Sequence, residues 1–299
     1  MLGSATPPVS IGGKPRNDEV DVFGESHRGL VRPDNQDHFV VCSLQKAARV
    51  HATNIPLELF DTSSEWMAFI GMVADGVGGH VGGEQASRAA IEAVVSYLSA
   101  AVGWYHISHP GDEAGSLDAL ADAARRSHEA VLERAQEHPE LTGMATTLTL
   151  AVVVWPKLYL VQVGDSRCYR LRSGRLEQLS RDQTVAQELI DKEGLPADQV
   201  LHGRWAHVLT SAIGSTTLPV VTSMDVVRDD VWLLCTDGLT KHVPDARIEQ
   251  QLRDMTSAAQ VCRALVQDAL DGGGTDNVTV VVGRSARGPG SMRGTVGPS

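Results

Sequence analysis

The apolar runs of this sequence come in blocks, and the blocks constrain the fold class. HFVVC within Asp37–Ser43 and WMAFIGMV at Trp66–Val73 read as strands and precede two long helical patterns. A second block follows: TTLTLAVVV at Thr146–Val154, a Trp155-Pro156-Lys157 turn, LYLVQV at Leu158–Val163, and CYRLR at Cys168–Arg172 running into the Ser173-Gly174 hairpin signal. VWLLC at Val231–Cys235 and VTVVV at Val278–Val282 are nearly continuous apolar runs, as in strands buried on both faces. Strands grouped this way predict an α+β chain with a largely antiparallel sheet, not a doubly wound parallel one.

The helical patterns are as clear. Ala86, Ala90, Ile91, Val94, Val95 and Leu98 mark one face of a helix over Glu84–Leu98. Leu117–Ala135 repeats the spacing, with Ser116 as its expected N-cap. Shorter amphipathic segments cover Thr184–Glu193, Ile248–Met255 and Ala258–Leu270, the last stopped by Gly272-Gly273-Gly274. No Pro/Gly-rich linker interrupts residues 19–284, which read as one domain. Residues 1–18 and 285–299 are rich in Gly, Pro and Ser and are expected to be disordered tails.

Charge narrows the function. With 26 basic and 37 acidic residues the net charge is −11, which excludes a phosphate-backbone binder of DNA or RNA. No segment has signal-peptide character or membrane-spanning length, so a cytoplasmic protein with no membrane partner is expected. Cys42, Cys168, Cys235 and Cys262 form no CxxC pair and read as free thiols in a reducing compartment. His106 and His109, in a loop-like stretch at 104–115, read as surface histidines.

The acids carry the chemistry. Asp37, Asp75, Asp165, Asp237 and Asp276 each stand at a strand end or in the turn beside it. Such ends meet on the rim of a sheet, where converging carboxylates repel one another unless a cation joins them. Oxygen-only ligands suit Mg²⁺ or Mn²⁺. Asp75-Gly76, Gly164-Asp165 and Asp237-Gly238 pair the acid with glycine, as a tight turn would. GVGGHVGGE at Gly76–Glu84 lacks the spacing and the lysine of a nucleotide loop, and reads instead as a flexible turn placing Asp75 and the Gly76 carbonyl on a metal. Arg32, in RPDNQD, is of the type that grips a phosphate bidentately.

These segments resemble the type 2C (PPM) protein phosphatases of bacterial type. The resemblance rests on GLVRPDNQD, VADGVGGHVGGEQAS, GMATTL with VGDSRCYRLRSG, LLCTDGL and GTDNVTVVV, in order over roughly residues 20–284. It implies two antiparallel sheets packed as a sandwich and flanked by antiparallel helices, a four-layer αββα arrangement. It implies a two-metal centre on Asp37, Asp75, Asp237, Asp276 and the Gly76 carbonyl, and a third metal on Asp165 and Asp237. Arg32 would bind phosphate, Asn277 would support Asp276, and a flap at about 183–206, followed by a strand in HVLTSAIGS, would shape access. The implied activity is hydrolysis of phosphoserine and phosphothreonine in proteins by a metal-activated water, with no covalent intermediate, opposing a Ser/Thr kinase. The alternative is a catalytically silent relative that binds phosphoproteins, but such a chain should have lost a metal aspartate or the arginine. Two features depart from the family pattern. Val77 replaces a histidine proposed as general acid in some members, leaving water or His80 for that role, and Gln36 replaces a glutamate. The stretch 44–65 is longer than a minimal loop.

Overall fold

The computed structural model describes residues 13–46, 65–77, 81–100, 113–196, 200 and 205–285. Most of both expected tails, most of the stretches 44–65 and 104–115 with His106 and His109, His80, and flap residues 197–199 and 201–204 lie outside the described residues.

In chain order the strands and helices are β1 Val20–His27, β2 Asp37–Lys46, β3 Glu65–Val77, α1 Val81–Ser99, α2 Glu113–Glu137, β4 Ala145–Thr146, β5 Leu148–Val154, β6 Lys157–Val163, β7 Arg167–Arg172, β8 Arg175–Gln178, α3 Val185–Glu193, β9 Val220–Asp225, β10 Val231–Cys235, α4 Asp237–Thr240, α5 Asp245–Arg253, α6 Ala258–Asp271 and β11 Val278–Ser285. One sheet runs β1-β11-β10-β7-β8 and the other β2-β3-β5-β6-β9, with β4 on β3. Their pairings are antiparallel. Helices α1 and α2 pack on each other and cover the second sheet, while α6, joined by α5, covers the first.

The period-two alternation of the strands fills the apolar seams between these four layers. Ile70, Met72, Leu148, Leu150 and Val152 face Ala90, Val94 and Leu120 of the first helix pair. Leu233, Cys235, Val278, Val280 and Val282 face Val261, Leu265 and Ala269 of α6. Val73, Ala151, Leu160, Cys168, Leu234 and Val281 meet between the sheets. Antiparallel strands covered on both faces explain the continuous apolar runs, since each side chain removed from water contributes about 1.5–3 kcal/mol.

The structure differs from the sequence reading at several places. Strand β1 escapes it because VDVFGESH carries Asp, Glu and Ser among its apolar residues and is only half-buried along its length. The short β8 and the edge strand β9 escape for the same reason. HVLTSAIGS forms no strand, only isolated bridges between Thr184 and Leu209 and between Thr146 and Ile213. Ser116 is a buried residue inside α2, which begins at Glu113, and not the residue before its start. Thr184 and Ser257 do cap α3 and α6, accepting from the Gln187 and Gln260 amides. Residues 13–18, expected in the tail, are tied down: Arg228 donates to the Gly13 and Lys14 carbonyls and pairs with Glu19.

Candidate metal centre

The two sheets bring their aspartates to one rim. Asp37 opens β2 and stands directly opposite Asp75 in the ladder with β3. Like charges in that register destabilise a pair of strands. Asp165 lies in the link from β6 to β7, where the chain passes from one sheet to the other. Asp237 starts α4 immediately after β10, and Asp276 precedes β11. Asp75, Asp165, Asp237 and Asp276 line a cleft of about 380 Å³ whose walls include Arg32, His207, Lys241 and Asn277, and Asp37 is buried beside Asp75.

Each acid is held differently. The Thr236 and Thr279 hydroxyls both donate to Asp37 Oδ2 at 2.8 Å. Asp37 Oδ1 and Asp237 Oδ1 are buried with no hydrogen-bond partner. Buried carboxylate oxygens left bare are costly, and a cation satisfies them. Burial pushes the Asp37 carboxyl up to about 7 against the pull of the two threonines, with Asp237 and Asp276 adding to the rise. Asp165 is pushed up to about 8 by burial, Asp237 and Asp182. Asp75 lies well above the usual carboxylate range through burial and its acidic neighbours, Asp37 first. Asp276 is the exception. Burial raises it, but hydrogen bonds from Lys241 and Arg32 outweigh burial and hold it below its ordinary value.

Neither Lys241 nor His207 was among the residues singled out from the sequence. Lys241 Nζ lies 2.6 Å from Asp237 Oδ2 and 2.7 Å from Asp276 Oδ2. The signal was legible: Lys241 follows Asp237 at the i,i+4 spacing of one helical turn. His207 comes from the return of the flap, and its ring joins Asp165 and Asp237 in a group whose ligand atoms lie within 4.8 Å of one another. Only its place in space marks it out.

The remaining expected residues fall in place around the acids. Arg32 grips Asp276 with two nitrogens, Nε to Oδ1 at 2.8 Å and an Nη to Oδ2 at 3.0 Å, and nearly half of its side chain is exposed. Asn277 is a brace: its side chain accepts from the Gln36 amide and donates to the carbonyls of Arg28 and Asp34, fixing the loop that carries Arg32. The flap is anchored beside Asp165, since Gly164 and Gln183 exchange hydrogen bonds.

The glycines are needed mostly for close approach. Gly76 lies within β3, which runs on to Val77, so the expected flexible turn at Asp75-Gly76 is a strand. A Cβ on Gly76 would meet the Gly83 backbone at 2.4 Å, where the start of α1 presses on the strand. A Cβ on Gly238 would lie 1.8 Å from the Asn277 carbonyl oxygen. Gly164 alone of the three requires a positive φ, +100°. Gly238→Ala is expected to lose about 2–3 kcal/mol of stability. Urea denaturation checks this, and an unchanged midpoint would show that the contact yields freely.

A sequence model described as Protein phosphatase 2C matches residues 58–272. The chain belongs to the protein phosphatase 2C family. It is 35% identical over 259 residues to the Serine/threonine protein phosphatase PstP of Mycobacterium tuberculosis, a match covering 86% of this chain and 43% of that protein. The chain therefore spans less than half the length of that relative. The Serine/threonine phosphatase stp of Listeria innocua is 29% identical over 213 residues, 71% of this chain and 82% of that one. The crystal structure of M. tuberculosis PstP/Ppp matches with a TM-score of 0.72 at 31% identity, covering 90% of this chain and 99% of that one. The catalytic domain of PstP in complex with two manganese ions matches at a TM-score of 0.67 with the same identity and coverage. The expected sandwich of two antiparallel sheets between helical layers is the fold these structures share with the chain.

Proposed function

We propose that the chain is a metal-dependent protein phosphatase that hydrolyses phosphoserine and phosphothreonine in proteins. The observation that carries this reading is the convergence of Asp75, Asp165, Asp237 and Asp276 in one cleft, with Asp37 paired opposite Asp75 and buried, unpartnered oxygens on Asp37 and Asp237. Manganese in a structurally similar relative supports the choice of ion, and Mg²⁺ suits the same oxygen donors.

Asp37, Asp75, Asp237, Asp276 and the Gly76 carbonyl would hold two ions, directly or through water. Asp165 and Asp237 would hold a third, with His207 within reach. When bound, such ions supply an activated water and offset charge on the phosphoryl oxygens. The chain's own residues do the positioning. The Thr236 and Thr279 hydroxyls fix one Asp37 oxygen and leave the other, buried and without a partner, for an ion. Arg32, the phosphate-binding residue in this reading, sits on a loop braced by Asn277 and can exchange its carboxylate partner for the isosteric fork of a phosphoryl group. Arg32, Asp37 and Asp75 thus form the proposed catalytic set, within a domain spanning residues 19–284. The flap at about 183–206, anchored to Gly164 through Gln183, would shape access of the phosphorylated segment.

The substrates would be phosphoproteins of a Ser/Thr kinase whose signalling the enzyme reverses. A cytoplasmic setting agrees with the free thiols of Cys42, Cys168, Cys235 and Cys262. Among the described residues, no helix is long and apolar enough to cross a membrane.

The test is hydrolysis of a phosphothreonine peptide with Mn²⁺, with Mg²⁺ and with excess EDTA. Turnover is expected with metal, lost in EDTA and restored by Mn²⁺. A folded protein that binds Mn²⁺ and never turns over would replace this reading with the silent phosphoprotein-binding relative.

A further inference from the structure

The proposed metal ligands Asp237 and Asp276 already share a cation, and it belongs to the chain. Lys241 Nζ is within hydrogen-bonding distance of the Oδ2 atoms of both. Its position is built in. The Lys241 amide donates to the Asp237 carbonyl at 2.9 Å, which sets its side chain one turn beyond the acid. Most of the side chain is covered, with 23% of it exposed. Arg32, by contrast, reaches Asp276 without contacting Asp237.

We propose that Lys241 is an internal competitor for the divalent cation that Asp237 and Asp276 would share, and that it sets how much metal the protein needs. The inference rests on the reading of these aspartates as metal ligands. A divalent ion seated between the two carboxylates would take the Oδ2 lone pairs that hold the ammonium, beside the bare Oδ1 of Asp237. The two cations also repel each other, and within a partly desolvated cleft that repulsion is strong. Binding therefore has to displace the ammonium and break two charge-assisted hydrogen bonds. The flexible four-carbon stem allows the withdrawal without moving α4. In the metal-free protein the same ammonium offsets the repulsion between the carboxylates. One residue thus stabilises the empty centre and weakens its loading.

The experiment titrates Mn²⁺ by calorimetry into chelator-stripped wild type, Lys241→Met and Lys241→Arg. Lys241→Met keeps the stem and removes the charge. It is expected to bind Mn²⁺ at least about 10-fold more tightly, the scale on which groups touching metal ligands tune affinity. Its melting temperature in EDTA is expected to be lower than that of wild type, and its rise on adding Mn²⁺ larger. Lys241→Arg, which keeps the charge, should stay near the wild-type affinity. Equal or weaker Mn²⁺ binding by folded Lys241→Met overturns the proposal. Asp276→Asn tests the underlying assignment separately. If it binds Mn²⁺ as wild type does, Asp276 is not a ligand and the competition has no object. If it loses affinity while Lys241→Met gains none, the metal site stands and only the role of Lys241 falls.

Discussion

Asp75→Asn is expected to lower kcat/KM for a phosphothreonine peptide by about 10³-fold or more, in a protein that remains folded. Asparagine has the shape of aspartate and keeps the backbone of β3, whose Asp75 amide and carbonyl are both bonded to Thr147. The neutral amide replaces one of the carboxylate oxygens and removes its charge, so an ion loses both a ligand atom and the field that holds it. The same change relieves the fold. Asp75 suffers from burial and from Asp37, Asp237, Asp165 and Asp276. In EDTA the variant should therefore melt at a higher temperature than wild type. A merely structural aspartate would instead give lower stability, with activity following it down. Full turnover by Asp75→Asn would end the assignment of Asp75 to the metal centre.

In EDTA, stability is expected to fall as pH rises from about 4 to about 8, the reverse of the usual carboxylate behaviour. The sign follows from the raised values of Asp37, about 7, and Asp165, about 8, with Asp75 shifted the same way. Between the ordinary carboxylate range and these values the folded chain keeps protons that the unfolded chain has released. The stability is intact below the unfolded value and is lost as pH passes through the folded one. Asp276, held low, has the opposite sign, but its contribution disappears only in more acidic solution. Mn²⁺ should reverse the trend, because it replaces those protons and binds more tightly as they leave. Calorimetric melting between pH 5 and 8.5, with EDTA and with Mn²⁺, reads both slopes. A flat profile in EDTA would show that Asp37, Asp75 and Asp165 are not held protonated by burial in the fold.

What the sequence discloses here depends on where a residue's partners lie. Runs such as VWLLC and VTVVV announce their strands because both faces are covered, one by α6 and one by the opposite sheet. VDVFGESH is an edge strand with polar residues on its pleat, so its alternation is diluted and it is identified only by its pairing with β11. The aspartates were legible because strand ends are legible. Their mutual register was not: nothing local states that Asp37 faces Asp75. Asp75-Gly76 looked like a turn because that dipeptide usually makes one. In the fold the glycine clears room for Gly83, a contact across a stretch no local rule spans. Lys241 could have been found from its helical spacing to Asp237. His207 could not, because its nearness to Asp165 is created by the path of the flap.

The pairing of β1 with β11 sets the order in which the protein comes into being. Val20 waits opposite Ser285, and His27 opposite Val278. During synthesis the first strand emerges without its ladder partner and stays without it until nearly all of the described fold has been made. Asp276 arrives in the same late segment. The ligand set proposed here therefore cannot be completed on a growing chain: until β11 has been translated and has docked between β1 and β10, the nascent protein carries Asp37 and Asp75 but not the acid that faces Arg32. In the proposed reading, a chain that stops short of β11 lacks the full ligand set.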